Sequence, residues 1–129
     1  MSSRPFDRNK QEIQSKIWVM ERTSEGWSEP KLLPDVINST KGICWQFSVD
    51  NQGNLYFSDR KSGKGDIYCA KYVNGQYSRP EKMGPEINAV GAYNHSPYIY
   101  PDGRTLLFSR DYQRGPVHIH VSFLRKDGT

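Results

Sequence analysis

His118 and His120 are the first residues in this sequence whose types and spacing could do chemistry. They stand two apart in "VHIHV", which places both imidazoles on one face of a strand, within reach of a single metal ion. No third ligand stands beside them, and His120 occupies a position that is aromatic elsewhere in the chain, so packing is the better account of the pair. His95, preceded by Asn94, opens the strand-like run "HSPYIYP" and is the better binding candidate, set against the plainer reading of a surface histidine. The stretch Asp50-Asn51-Gln52-Gly53-Asn54 has the look of a calcium loop. It lacks the distal bidentate acid, and a hairpin turn explains it better.

Arg60 and Arg110 each follow a strand-like run and could hold an anion. A solvated side chain, or a pair with an acid such as Asp59 or Asp111, competes with that reading. Trp18, Trp27 and Trp45 could stack on a ligand, but packing between sheets accounts for them more simply. Cys44 and Cys69 lack metal-ligand spacing and read as small buried apolar residues. No G-x-S-x-G elbow occurs. The chain therefore offers no catalytic constellation, no metal set and no cofactor motif.

The elements that must position these residues repeat. Ile17, Ile67 and Ile119 begin parallel passages spaced 50 and 52 residues apart, within the range of propellers and arrays. Trp27 matches Tyr77, Ser28 matches Ser78, Pro30 matches Pro80, and Ile37-Asn38 matches Ile87-Asn88. Gly26, Gly75 and Gly128 mark a common turn.

Each unit reads as short strands. "CWQFSVD" and "HSPYIYP" lead through turns into "NLYFS" and "TLLFS". After a polar loop come "DIYCAKY" and "HIHVSFL", and Asn74-Gly75 then predicts a tight hairpin into a fourth strand, "QYSRPEKM". On the third strand Ile17, Ile67 and Ile119 share one face with Val19, Cys69 and Val121. Trp18, Tyr68 and His120 take the other. Two apolar faces predict sheets covered on both sides and stacked face to face, which at this period is propeller geometry.

These passages, "YPDGRTLLFS", "DIY" and "ERTSEGWSEPKLL", resemble the Pro-Asp-repeat, WD40-like (TolB-type) β-propellers over about residues 16–129. The match departs from the pattern at Asn51-Gln52-Gly53, where Pro-Asp-Gly is usual, and at His118, where an acid is usual. The resemblance implies an all-β chain of four-stranded antiparallel blades in an incomplete ring. Residues 1–15 are then the tail of a preceding blade, 16–33 the outer strands of a first, 43–82 a full blade and 94–123 a partial one. That makes about two blades where closed rings have about four to eight. The shortfall leaves three readings: a piece of a longer propeller, a ring closed by self-association, or a free-standing open stack.

In the family's fold the start of an inner strand lies near the central channel, which favours Asn94 and His95 as binding residues, with Trp45, Arg60 and Arg110 beside the same loops. The implied function is a non-catalytic binding or protein-interaction scaffold taking a protein or small ligand at the ring's face. The alternative is the propeller portion of a larger hydrolase, a prolyl-oligopeptidase-like peptidase or a glycosidase. The net charge of +4 is scattered along the length, without a basic helix or charge run, and does not support a nucleic-acid partner. With a polar start and no spanning apolar run, the chain as written is expected in the cytoplasm. An export signal upstream of a truncated start would place it in the periplasm or outside the cell.

Overall fold

A computed structural model describes residues 16–38, 46–59, 65–112 and 115–125, and these are all-β apart from one helical turn. β1 (Trp18–Val19) pairs antiparallel with β4 (Lys31–Leu32), and β2 (Arg22–Thr23) and β3 (Gly26–Trp27) form a ribbon between them. The turn α1 (Asp35–Asn38) follows. β5 (Phe47–Val49), β6 (Leu55–Asp59), β7 (Asp66–Ala70) and β10 (Glu81–Lys82) make a four-stranded antiparallel sheet in the order β10-β7-β6-β5. A second ribbon, β8 (Tyr72–Val73) with β9 (Gln76–Tyr77), projects between β7 and β10. β11 (Ala92–Ile99), β12 (Thr105–Tyr112) and β13 (His118–Phe123) form the last antiparallel sheet in that order. Among the described residues no helix is long and apolar enough to cross a membrane.

The expected fourth strand is two pieces. Asn74 (φ 51°) and Gly75 (φ 79°) make the tight turn that an Asn-Gly pair favours, because both central residues need positive φ. The return strand then breaks at Ser78-Arg79-Pro80. The Ser78 amide bonds the Lys71 carbonyl (2.8 Å), and the Lys71 amide donates to Ser78 Oγ (3.0 Å). That closes the ribbon, and Pro80 has no N–H to continue a ladder. Fifty residues earlier the same bonds join Ser28 to Glu21 (2.9 and 3.0 Å), so the repeat extends to individual hydrogen bonds.

The Ile-Asn pairs have an equally specific task. Asn88 Oδ1 accepts from the Ile67 amide (2.7 Å), while its Nδ2 donates to the carbonyls of Ile67 and Met83 (both 2.8 Å). Asn38 makes the corresponding bonds to Ile17 (2.8 and 3.1 Å) and Leu33 (2.7 Å). Each amide ties the start of one strand to the end of its neighbour, pairing the buried Ile amide and adding a second bond to an Ile carbonyl that already accepts from Leu33 or Met83 (3.0 Å each).

Two apolar cores lie on opposite faces of the four-stranded sheet. Leu55, Phe57 and Ala70 meet Ile17, Leu33 and Ile37 of the preceding unit on one side. On the other side Tyr56, Ile67 and Ile87 meet Ile99, Leu106 and Phe108 of the following unit. The alternation within β6 sends its residues to both cores, so all five are buried. Truncating Phe57, which is fully buried, would cost about 3–5 kcal/mol. In each unit the side carrying Ile17, Ile67 or Ile119 is here termed the trailing face, and the opposite side the leading face.

The tryptophans do not all take the core positions expected of them. Tyr68 and Tyr77 pack against the first core, but their counterparts Trp18 and Trp27 are exposed, with Arg22 resting 5.9 Å from the Trp27 ring. Among the described residues no unit lies against that face. Cys69 is half-buried against the second core, whereas Cys44 lies outside the described residues.

Candidate functional site

The ends of β11 and β12 carry three of the five candidate binding residues, but on two different faces. Asn94 pairs in register with Arg110, and His95 with Ser109. Cross-strand partners share a face and successive residues alternate, so Asn94 and Arg110 point to the leading side and His95 to the trailing side.

Arg110 is a strut. Its Nε donates to Asn94 Oδ1 (2.8 Å), and its terminal nitrogen to the carbonyls of Glu86 and Ile87 (both 2.9 Å). The guanidinium thereby joins β12 to the turn before β11 and stands 5.2 Å over the Phe108 ring. Its Nε and one terminal nitrogen are thereby occupied, and Asp111, the next residue along β12, points to the opposite face of the sheet. Asn94 is fully buried, and its Nδ2 has no partner among the described residues.

His95 lies in a different setting. Its Nδ1 is 2.8 Å from Ser96 Oγ, which donates to Gln46 Oε1 at 2.6 Å, so the pair makes a short relay from β11 to the start of β5. Ser96 holds φ at 55°, left-handed for a non-glycine residue, and directly precedes Pro97 at a register shift between His95 and Tyr98. Such a conformation costs about 1–3 kcal/mol and persists only where surrounding contacts impose it. The Tyr93 ring lies tilted beside His95 with centroids 4.9 Å apart, and Asp111 is paired with Tyr93 in the ladder. Asp111 Oδ1 is buried and has no partner among the described residues. An imidazole, a hydroxyl, a phenol and a carboxylate thus converge on one end of this sheet. They can donate, accept and stack.

No family model, curated protein or solved structure matches this chain.

The remaining candidates separate cleanly. Trp45 and Arg60 lie outside the described residues. His120 stacks on Phe108 at 5.4 Å, in the packing position expected of it, while His118 is exposed. Burial, then the charges of Arg110 and His118, hold the His120 imidazole below its ordinary value. Asp50 closes a hairpin turn. Its Oδ1 accepts from the amides of Gln52 (2.9 Å) and Asn54 (3.0 Å), and its Oδ2 from Asn54 Nδ2 (2.8 Å). Beside it, burial pushes the Tyr56 phenol far above its usual range, with Cys69 and Asp50 adding to the effect. Burial also raises the Cys69 thiol, which leaves it a poor nucleophile. Among the described residues no group of three or more His, Cys, Asp or Glu could hold a metal ion.

A groove of about 940 Å³ opens between the four-stranded sheet and β13, lined by Tyr56, Met83, Ile87, Leu106, Phe123 and Leu124 among others. At the first interface Tyr77 packs across the core. The groove lies where β13 has no such counterpart among the described residues.

Two features escaped the reading of the sequence. One is the strained Ser96, for which Ser96-Pro97 inside an aromatic strand was a usable signal, since proline within a strand marks an edge or a bulge. The other is the role of the Ile-Asn pairs, visible as a repeat but not as a clamp.

Proposed function

We propose that the chain is a β-propeller repeat module that acts without catalysis as a binding scaffold, and that it binds where His95, Ser96, Tyr93 and Asp111 meet. The observation carrying this reading is Ser96, held at positive φ before a proline by its bonds to His95 and Gln46. Strain maintained at a cluster of exposed-edge polar groups is where binding residues concentrate. The propeller part of the reading is supported by sheets that cover one another through two apolar cores and by hydrogen bonds that recur at the sequence period. Asn94 and Arg110 support the site from behind and do not contact the ligand.

Amide chemical-shift mapping against small polar ligands and peptides tests the assignment. Shifts centred on Tyr93, His95 and Ser96, lost in His95→Ala while the fold persists, are the expected result. Steady hydrolase turnover by the purified chain that vanishes on changing His95 or Asn94 would overturn the non-catalytic reading.

A further inference from the structure

The two cores are the same pair of surfaces used twice. In the first, a trailing face (Ile17, Leu33, Ile37) receives a leading face that includes Phe57, Tyr68 and Tyr77. In the second, the trailing face with Ile67 and Ile87 receives the leading face with Leu106 and Phe108, and His120 stacks on Phe108. The repeat register therefore states which surface fits which.

Two surfaces of these types are uncovered among the described residues. By ladder alternation the last sheet's trailing face carries Ile119, Val121 and Phe123, which are 76%, 51% and 69% exposed, and on this edge strand Val121 and Phe123 also border the groove beside the second core. Ile119 and Val121 are the counterparts of Ile67 and Cys69, which face the second core. The first unit's leading face presents Trp18, Leu32 and Trp27, at 39%, 43% and 64%. Trp18 and Leu32 are paired across β1 and β4, so they share that face. Trp18 and Trp27 are the counterparts of Tyr68 and Tyr77, the rings that pack against the first core. Among the described residues one chain thus bears both halves of an interface that it already builds internally, on its first and last sheets. Contiguous exposed apolar surface of this kind marks an association site.

We propose that the Ile119/Val121/Phe123 face docks the Trp18/Leu32/Trp27 face of a second copy, so that chains associate head to tail. The contact is heterologous: each copy uses a different surface, and assembly continues until a ring closes or an open stack grows. The inference rests on the repeat reading given above.

Sedimentation velocity over a range of concentrations tests it, using Trp27→Ser and Ile119→Lys. Both side chains are exposed, so neither change removes a core contact, and circular dichroism checks that each variant folds. The unaltered chain is expected to gain mass with concentration. Each variant should weaken that association by about tenfold or more, as loss of a central aromatic or aliphatic anchor does. The decisive sample is an equimolar mixture of the two variants. Each retains the surface that the other lacks, so the mixture should recover a dimer and stop there. A chain that stays monomeric, variants that associate like the unaltered chain, or a mixture that fails to pair would each overturn the proposal. So would association blocked by Ile119→Lys but indifferent to Trp27→Ser, the mark of symmetric pairing through β13. Nuclear Overhauser contacts between Ile17 and Phe57 separate the two levels. Their presence in a monomer sinks the docking alone, whereas their absence sinks the repeat reading with it.

Discussion

Asn38 and Asn88 show how much one side chain can organise when backbone groups are buried around it. Replacing Asn88 with Ala strands the Ile67 amide and the Met83 carbonyl, while the Ile67 carbonyl keeps its bond from the Met83 amide (3.0 Å), and each unpaired buried group costs about 1–3 kcal/mol. A loss of about 3 kcal/mol in urea denaturation is expected for Asn88→Ala. Asn88→Asp should be no milder, because a carboxylate keeps the acceptor but sets negative charge against two carbonyl oxygens. His120 provides a test by pH. Its folded-state pKa lies below the ordinary 6.5, chiefly through burial, with Arg110 and His118 adding to the effect. The unfolded chain then binds the proton more readily. The stability this contributes is complete above 6.5 and is lost as pH falls through 6.5 toward the folded value. The urea midpoint of the chain should therefore drop on acidification more steeply than that of His120→Gln, and equal slopes would count against the assignment.

At the scale of elements, the close approach of Gly65, just before β7, to β11 sets the position of the candidate site. The Asn94 amide bonds the Gly65 carbonyl at 2.9 Å, and a Cβ on Gly65 would fall 2.6 Å from the Tyr93 ring and 2.8 Å from the Asn94 carbonyl. Gly65→Ala must push β11 outward. It is expected to weaken ligand binding at His95 and to destabilise the fold by an amount typical of overpacking, about 1–3 kcal/mol. Unchanged amide shifts along β11 in that variant would refute the link. The hairpin at Asn74-Gly75 was legible in two letters, since few residue pairs tolerate two positive φ angles. The split of the following strand was not, because it depends on a serine hydroxyl reaching seven residues back.

At the scale of the whole molecule, the four-stranded sheet is held from both sides, and Phe57 and Ile67 belong to different cores. Phe57→Ala and Ile67→Ala should each lower stability by several kcal/mol, about 3–5 for the phenylalanine and about 2–5 for the isoleucine. Because one sheet carries both cores, unfolding followed by tryptophan fluorescence and by circular dichroism should coincide. Separate transitions would show that the two cores are independent.

Spacing and alternation alone were enough to establish strands, their turns, the repeat and the two-faced burial, because those follow from local stereochemistry and from which side chains avoid water. Asn94 and His95 are singled out only through the resemblance to a propeller family, and Arg110 is read separately as a possible anion holder. Neither reading could separate their faces. Arg110 became a strut and His95 a candidate ligand because they point to opposite faces of one sheet, and that depends on pairing between strands distant along the chain. The exposure of Trp27 has the same origin: its buried counterpart, Tyr77, differs from it not in local pattern but in having a neighbouring unit to lie against.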